Sequence, residues 1–562
     1  MKKKASPVKA VLLLAAVVAV AGIITFFIDR NTPTKTHMDL SQYYGVSDGD
    51  IAVIAGADVS KTFGKNIDGK TFIDYSSVSS YVNPRIFYDA SAQLLITTTP
   101  TDKITLNLAD GSASSDARTV DGTLYISLDF ITKYTDMEST AYTDPDRIVI
   151  KNDWDYAAAD VKEDACIRYK AGIKSPIIED VTAGQTLRVT DAASDGTASD
   201  GKISGWTHVA SDSGFVGYIE DKYLGSEYEK KTDHTSPVGA YTHIEKDYKI
   251  NMAFHQTTSQ ASNAALDTSL ANVTGINTLA PTWFFLDSDD GSLTSLVSST
   301  YVQKAHDKGY EVWAVVNDFD GKVNTNTDTK AALSSEPARV KIIGTVISDV
   351  KTAGADGVNV DFENVTEECA PYFLEFIREL SVECRNAGLV LSVDNYVPTY
   401  TEYLDRTEQA AVADYVVCMC YDEHTSGSKE AGSVASLPFV KKGIEDTLSE
   451  VPAAQTVIAI PFFTRLWTTG SSKTPESKAY GMSEAEAFVT DHNMAKYWDK
   501  DTGQNYAELQ DSDAYYQIWL EDAESIAEKM KLIKDAGCAG AAEWKMGLET
   551  SDIWGVISQY LK

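Results

Sequence analysis

The sequence predicts an α/β protein whose largest part is a (β/α)8 barrel, or TIM barrel, over residues 238–562. A transmembrane helix, a small α+β repeat domain and a small β barrel are expected before it. Three observations lead to this prediction. Short apolar strands alternate with helical segments after residue 238, an internal repeat lies within residues 39–152, and an uncharged run of 19 residues follows the N-terminal lysines.

Composition limits the class of ligand. The chain has 562 residues, and 82 acidic residues against 49 basic ones give a formal net charge of −33. This charge argues against nucleic acid or another polyanion as a partner and favours a neutral polymer or a small ligand. The six cysteines are too few and too irregularly spaced for a disulfide framework or a zinc site, and no metal or other cofactor is expected.

The N-terminal segment, residues 1–30, combines four lysines with the uncharged run Ala10–Ile28. At about 1.5 Å per residue a helix of this length crosses a bilayer core. The positive-inside rule keeps the lysines cytoplasmic, which predicts a single-pass protein of a bacterial cell membrane with everything after Asp29 outside. The alternative is a secreted protein whose signal peptide is cleaved after Ala21.

Two small modules are predicted between the anchor and the barrel. GKTFIDYSSVSSY at 69–81 aligns with GTLYISLDFITKY at 122–134, and residues 39–152 resemble the copper amine oxidase N-terminal-like domains of bacterial surface proteins. Residues 164–225 contain short β-rich runs separated by turns and resemble bacterial Src-homology-3-like barrels. A small β spacer without a ligand is the alternative for the second module, and a polar linker follows at 227–237.

Apolar strand candidates recur through the predicted barrel. They are 250–254, 276–286, 311–317, 357–363, 389–396, 414–422, 456–463 and 539–546. Their number and the helical segments between them fit a (β/α)8 barrel with insertions. The chemistry of such barrels lies at the C-terminal ends of the strands.

The fourth strand candidate, within DGVNVDFENV at 356–365, carries the main chemical signal. Asn359, Asp361 and Glu363 alternate with apolar residues, so their side chains share one face of the strand. We expect this face to point into the barrel, with Glu363 at the C-terminal end. Buried carboxylates are costly unless a function retains them, which makes this strand the predicted catalytic strand.

This strand resembles the D-x-x-D-x-D-x-E signature of glycoside hydrolase family 18, the chitinase-like hydrolases. Asn359 stands where the family usually has an aspartate, and the branch with the greatest similarity is that of bacterial spore-cortex and cell-wall N-acetylglucosaminidases. The positions that match are Asp356, Asp361 and Glu363 in the signature, Met419, Tyr421 and Asp422 in the family's M-x-Y-D, and Trp544 on the eighth strand.

The resemblance implies a retaining, substrate-assisted reaction on a β-1,4-linked, N-acetylglucosamine-containing polymer. Glu363 would protonate the glycosidic oxygen, and the substrate's own acetamido oxygen would attack the anomeric carbon. Asp361 would accept the acetamido N–H, Tyr421 would hold the carbonyl oxygen, and Trp544 would lie under the sugar. An amide at Asn359 cannot titrate, so Asp361 is expected to stay anionic throughout.

Further residues are candidates for substrate binding, each with a plain structural alternative. Asp422, Asn395, Arg465 and Glu521 would bind sugar hydroxyls or form surface ion pairs. Trp283, Trp313 and Trp467 would stack on sugars or pack in the core. The expected polymer is cell-wall peptidoglycan, with chitin as the alternative, and a non-catalytic carbohydrate-binding protein on the same barrel is the alternative function.

Overall fold

A computed structural model describes residues 7–109, 115–190, 202–319, 328–470, 474–512 and 514–561. The chain forms two compact units. The first consists of Met1–Phe87 and Leu106–Gly239, and the second consists of Tyr88–Thr105 and Ala240–Lys562.

The first helix is the predicted apolar segment. Helix α1 runs over Pro7–Asn31, and its part Val11–Asn31 has a mean hydropathy of 3.0 with no buried residue. By length and composition it is able to cross a membrane. Three of the predicted cytoplasmic lysines, at positions 2–4, lie outside the described residues.

The described residues between α1 and the barrel form strands β1–β19 and three short α-helices. The strands are β1 Asp50–Ala55, β2 Asp58–Val59, β3 Gly64–Ile67, β4 Lys70–Asp74, β5 Ile86–Asp89, β6 Leu94–Thr98, β7 Lys103–Asn107, β8 Ala117–Val120, β9 Thr123–Ser127, β10 Glu138–Tyr142, β11 Arg147–Lys151, β12 Tyr156–Asp160, β13 Ala165–Arg168, β14 Ile177–Val181, β15 Thr186–Val189, β16 Lys202–Ile203, β17 Trp206–Ala210, β18 Val216–Glu220 and β19 Tyr228–Lys230. The helices are α2 Leu40–Tyr44, α3 Tyr75–Ser77 and α4 Leu128–Tyr134.

The internal repeat is visible in these elements. The series β3, β4, α3, β5 and β6 recurs as β8, β9, α4, β10 and β11, and Gly64 and Ala117 begin the two copies. Strands β10, β11, β1, β3, β4, β9 and β8 follow one another in one sheet, while β5, β6 and β7 form a separate three-stranded sheet. The predicted α+β domain over 39–152 is therefore not confined to one compact unit.

Residues 88–105 belong to the same compact unit as the barrel, and ion pairs and hydrogen bonds join them to it. The ammonium of Lys103 lies 2.9 Å from Glu336 and 3.0 Å from Glu379. Asp89 lies 3.5 Å from Arg339, and both side chains are buried. The loop at Pro100 also accepts a hydrogen bond from Arg385.

Eight parallel strands close the barrel in the described part of the second unit. They are β20 Ile250–His255, β21 Thr278–Leu286, β23 Glu311–Asn317, β24 Gly357–Asp361, β25 Val390–Tyr396, β26 Tyr415–Met419, β27 Thr456–Pro461 and β33 Gly540–Trp544; a short strand β22, Leu293–Ser295, pairs with β21. The order β20-β33-β27-β26-β25-β24-β23-β21 is closed by pairing of β20 with β21. Each predicted barrel strand coincides with one of these eight, which confirms the predicted fold class.

Helices between the strands cover the barrel. They are α5 Gln260–Ala264, α6 Leu266–Ser269, α7 Ser299–His306, α8 Thr329–Leu333, α9 Glu336–Ala353, α10 Ala370–Ala387, α11 Arg406–Val412, α12 Leu437–Leu448, α14 Ala523–Asp535 and α15 Ile553–Ile557. Helix α10 is capped at its C-terminal end by Gly388. The φ of this residue, 68°, lies in the left-handed region that glycine adopts without strain.

An insertion follows the seventh barrel strand. Its antiparallel sheet has the order β29-β28-β32-β31-β30, formed by β28 Phe463–Thr469, β29 Pro475–Gly481, β30 Ala495–Asp499, β31 Gln504–Gln510 and β32 Tyr515–Leu520. Helix α13, Met482–Asp491, packs against one face of this sheet through Ala485 and Val489.

Candidate active site

Strand β24 carries polar side chains into the centre of the barrel. Asn359 and Asp361 are buried, and Val358 and Val360, which alternate with them, are buried on the opposite face. Glu363 follows the last residue of the strand and is half-buried. The first residue of the strand is Gly357. A side chain has no room there, because a Cβ atom would lie 2.8 Å from the carbonyl oxygen of Val390.

Asn359 is held by the neighbouring strand. Its Nδ2 donates to Ser392 Oγ at 2.9 Å and to Asp394 Oδ1 at 2.6 Å. Asp394 is fully surrounded by protein, and burial raises its pKa to about 8, although the Asn359 hydrogen bond acts in the opposite direction. The site therefore contains a carboxyl group on β25 that the motif of β24 does not include.

Asp361 lies beside Asp394. The registered pair Val360 and Val393 precedes both residues, so they are adjacent on neighbouring parallel strands. Burial and then repulsion from Asp394, Glu363 and Asp318 hold the pKa of Asp361 well above its usual range. The expectation of a permanently anionic Asp361 is thus at odds with the structure, because it considered residue 359 alone.

Glu363 lies at the mouth of the barrel with its pKa near neutrality. Burial raises this pKa to about 7, and the charges of Asp318 and Asp422 add to the increase. The hydroxyl of Tyr396 donates to Glu363 Oε2 and opposes the increase. A carboxyl group of this kind holds a proton at mildly acidic pH and can release it near neutrality, as a general acid requires.

Asp318 fixes the backbone that carries Glu363. Its Oδ1 accepts from the Glu363 N–H at 2.8 Å, and its Oδ2 accepts from the Asn364 N–H at 3.1 Å. The hydroxyl of Thr329 also donates to Oδ2, at 2.6 Å. This buried aspartate directly follows β23 and so connects the third strand to the loop after the fourth.

The sixth strand ends at the same mouth. Met419 is its last residue and is buried, and Tyr421 is buried just beyond it. Burial and the nearby carboxyl groups of Asp361 and Glu363 raise the pKa of Tyr421, so its hydroxyl remains a hydrogen-bond donor. Its ring lies 6.2 Å from that of Phe463 in an edge-on arrangement.

Asp422, Arg465 and Trp544 complete this end of the barrel. Asp422 has a positive φ of 60°, and burial raises its pKa while the charge of Arg465 lowers it. Arg465 lies on β28 of the insertion and also contacts Ser477 at 3.3 Å. Trp544 ends β33, half-buried, with its ring 5.4 Å from Phe254.

The structure separates two predicted site residues from this cluster. Asp356 precedes β24, at the opposite end of the barrel, where its carboxylate accepts from the Val312 N–H and contacts His306, each at 2.8 Å. Asn395 lies between the inward-facing Asp394 and Tyr396, so its amide points outward and bonds to Gln409 at 2.7 Å. Neither side chain therefore lies with Asp361 and Glu363, because Asp356 comes before the strand and Asn395 is one position away from the inward-facing residues.

Two further candidates occupy structural positions. Trp283 is fully buried and donates to Asn263 at 2.8 Å, so no face of its ring is open to a sugar. Glu521 is paired with the buried ammonium of Lys529 at 2.7 Å. The structure favours core packing for Trp283, and Glu521 forms a buried ion pair instead of either a sugar contact or the surface ion pair of its alternative. Trp313 and Trp467 are fully buried as well.

Three residues of the site were absent from the sequence prediction: Asp318, Asp394 and Tyr396. A signal for two of them existed, because Asp394 and Tyr396 alternate along the fifth strand just as Asn359 and Asp361 do along the fourth. Asp318 follows the third strand, where polar residues gather in barrels of this kind. Among the described residues, no group of three or more histidine, cysteine or acidic side chains is arranged to hold a metal ion.

The barrel and its cluster of carboxyl groups define the class of a glycoside hydrolase. A model of the glycosyl hydrolases family 18 matches residues 249–549. This match spans more than half of the chain, and the chain belongs to family 18.

Parts of the chain are similar in sequence to known proteins. The cortical fragment-lytic enzyme of Bacillus subtilis is 23% identical over 276 residues, which cover 47% of this chain and 62% of that enzyme. The glycosylase YdhD of Bacillus subtilis is 25% identical over 224 residues, which cover 38% of this chain. This chain spans about half the length of YdhD, 53%.

Solved structures share the barrel fold. A chitinase from Chromobacterium violaceum superposes with a TM-score of 0.50 at 21% identity, over 56% of this chain and 99% of its own. The Bacillus cereus spore cortex-lytic enzyme SleL superposes with a TM-score of 0.50 at 20% identity, over 59% of this chain and 79% of its own. At these identities the likeness concerns the fold.

Proposed function

We propose that this protein is a retaining glycosidase that cleaves β-1,4-linked, N-acetylglucosamine-containing polymer by substrate-assisted catalysis. The observation that carries the proposal is the set of carboxyl groups at the barrel mouth. Glu363, with a pKa of about 7, lies within electrostatic reach of the deeply buried Asp361. One protonated acid and a second, separate acid are the groups that this reaction needs.

Bond cleavage begins at Glu363 in this proposal. Its proton passes to the glycosidic oxygen while the carbonyl oxygen of the substrate's 2-acetamido group attacks the anomeric carbon from the opposite face. The result is a cyclic oxazolinium ion and a free leaving group. Deprotonated Glu363 then removes a proton from water, which opens the ring with a second inversion, so the anomeric configuration is retained overall.

Asp361 and Tyr421 stabilise the intermediate. Asp361 accepts a hydrogen bond from the acetamido N–H and, as an anion, offsets the positive charge of the oxazolinium ion. The Tyr421 hydroxyl, kept protonated by its raised pKa, donates to the acetamido oxygen. Trp544 lies beneath the sugar, with Met419 beside the acetamido group, and Asp422 and Arg465 bind hydroxyl groups at the rim.

The preferred polymer in this proposal is peptidoglycan, and chitin is the alternative. Similarity to a cortical fragment-lytic enzyme supports the first, and similarity to chitinase A1 of Niallia circulans, 27% identical over 181 residues, supports the second. The apolar helix α1 would hold the enzyme at the outer face of a bacterial membrane, next to the wall. The proposed copper amine oxidase-like and Src-homology-3-like modules would orient it there.

Product analysis tests both the reaction and its substrate. The full chain is incubated with purified peptidoglycan and with chitin oligomers, and mass spectrometry identifies new reducing ends. Proton NMR on a soluble oligomer then gives the configuration of the first-formed anomer, which should be retained. An inverted product would exclude the acetamido nucleophile, and a Glu363→Gln variant provides the matched inactive control.

A non-catalytic carbohydrate-binding protein on the same barrel is the second candidate. Glu363 argues against it, because a binding protein has no need of a carboxyl group whose pKa is poised near neutrality. Binding of both polymers by the full chain, without any new reducing ends, would favour this candidate.

A further inference from the structure

Two buried carboxyl groups lie side by side between the fourth and fifth strands, and in the part of the chain that the structure describes the charged groups acting on them are other acids. Asp361 is 3% exposed and Asp394 is 2% exposed. Burial raises the pKa of both; the charges of Asp394, Glu363 and Asp318 add to the increase at Asp361, and that of Glu363 adds to it at Asp394. Like charges at this depth cannot both ionise without a large free-energy cost.

The hydrogen bonds leave one oxygen open on each aspartate. Asp394 Oδ1 accepts from the Asn359 amide at 2.6 Å. Asp394 Oδ2 and Asp361 Oδ1 have no hydrogen-bond partner within the described ranges. An amide at position 359 can only donate to this carboxyl group from Nδ2, so a proton on Asp394 belongs on Oδ2.

We propose that Asp394 is the proton-sharing partner of Asp361, and that it takes the place of the carboxyl group absent at Asn359. The inference rests on the proposed substrate-assisted reaction. Asn359 is then the residue that orients Asp394, because its amide holds Oδ1 and leaves Oδ2 for the shared proton. The pair carries one proton and one negative charge in the resting enzyme.

The position of the shared proton within the pair changes as the reaction proceeds. In the free enzyme it lies between Asp361 and Asp394. When the acetamido group acquires positive charge, the proton stays on Asp394 Oδ2 and the anionic Asp361 accepts the acetamido N–H. When water opens the oxazolinium ring, the proton is shared again. It never leaves the pair, so the proton that Glu363 delivers and recovers is a separate one.

Other titratable groups face Asp394 from the neighbouring elements. Asp361 and Glu363 face it from the β24 side. Tyr421, beyond β26, has a pKa that Asp394 raises. Ser392, on the same strand as Asp394, holds the second hydrogen bond of Asn359 but does not titrate.

Two variants separate this role from a merely structural one. Asp394→Asn removes the partner of Asp361 at nearly constant volume. The double variant Asn359→Asp/Asp394→Asn moves the carboxyl group from the fifth strand to the fourth and keeps an amide opposite it. Ser392→Ala is the matched control, because it removes a hydrogen bond from Asn359 without removing a carboxyl group.

The pH dependence of kcat/KM on a soluble chitin oligomer is the first measurement. Asp394→Asn removes repulsion from Asp361 and lowers its pKa, so the acid limb should move down by about one pH unit or more. The double variant should return the limb toward its original position, and Ser392→Ala should leave it in place. An unmoved limb in Asp394→Asn, with a normal thermal unfolding profile, would overturn the proposal.

Infrared titration of the detergent-solubilised full chain is the second measurement and needs no activity. In the wild-type-minus-variant difference spectrum at neutral pH, the protonated carboxyl groups common to both proteins, such as Glu363, cancel, and Asp394→Asn should have lost a protonated-carboxyl band that the double variant retains. Retention of the band in Asp394→Asn refutes proton sharing even if the protein proves inactive. If Asp394→Asn fails to fold, the double variant decides: it should show the band, and its absence there refutes the proposal.

Discussion

Replacing Tyr396 by phenylalanine tests the acid role of Glu363, because it should raise the pKa of that carboxyl group. The Tyr396 hydroxyl donates to Glu363 Oε2 and lowers the pKa of that carboxyl group. Removing the hydroxyl therefore destabilises the carboxylate and raises the pKa. The ring of phenylalanine retains the packing, so the change is confined to one hydrogen bond.

The magnitude follows from the strength of such a bond. A hydrogen bond to a charged group contributes about 1.5–3 kcal/mol, and one pKa unit corresponds to about 1.4 kcal/mol. Tyr396 is half-buried, so we take the lower end of this range. The pKa of Glu363 should increase by about one unit from its value of about 7.

The basic limb of the kcat/KM profile reports this change. Glu363 must be protonated to donate, so activity is lost as the pH rises through its pKa, and the limb should move up by about one unit. Tyr403→Phe is the matched control, since its hydroxyl donates to the backbone oxygen of Val365 at 2.8 Å and not to Glu363. A limb that moves down in Tyr396→Phe, or moves equally in both variants, would refute the assignment of this limb to Glu363.

Three further predictions concern other parts of the chain. Asp318→Asn removes a negative charge that raises the pKa of Glu363, so the basic limb should move down, opposite in sign to Tyr396→Phe; an upward movement would contradict this electrostatic account. Lys529→Met leaves the buried carboxylate of Glu521 unpaired and should lower the free energy of unfolding by about 3–5 kcal/mol; thermal unfolding measures this, and adding Glu521→Gln should recover most of the loss. Fractionation of the cell should recover the full-length chain with the membrane, because α1 has spanning length, whereas a soluble protein beginning near Gly22 would show cleavage.

The barrel was predictable from the sequence because strands buried on both faces appear as nearly continuous apolar runs. The strands of a parallel barrel are covered on both faces, so runs such as EVWAVVN and TVIAIPFF are almost continuously apolar. Each coincides with an observed strand, β23 and β27. Only the exact ends differed, as at β24, which stops at Asp361 while its sequence pattern continues to Glu363.

The direction of individual side chains was harder to predict. Asn395 and Asp394 differ by one position, and in a strand one position exchanges the inward face for the outward one. The face that Trp283 occupies was equally hard to predict, because the pairing of β21 with β23 is irregular between Thr282 and Phe284. A local irregularity of this kind changes the face that a residue occupies, and a period-2 pattern contains no sign of it.

The substitution at Asn359 shows why a motif alone could not settle the chemistry of the site. Along β24 the amide reads as a lost carboxyl group, from which a permanently charged Asp361 follows. Across the ladder, Asp394 supplies a carboxyl group from β25, and the Asn359 amide binds it. Nothing in the local sequence connects residues 359 and 394, because their proximity is created by strand pairing. The number of acidic groups around the reacting sugar is therefore a property of the closed barrel, and the protonation of Asp361 depends on the fifth strand as much as on the fourth.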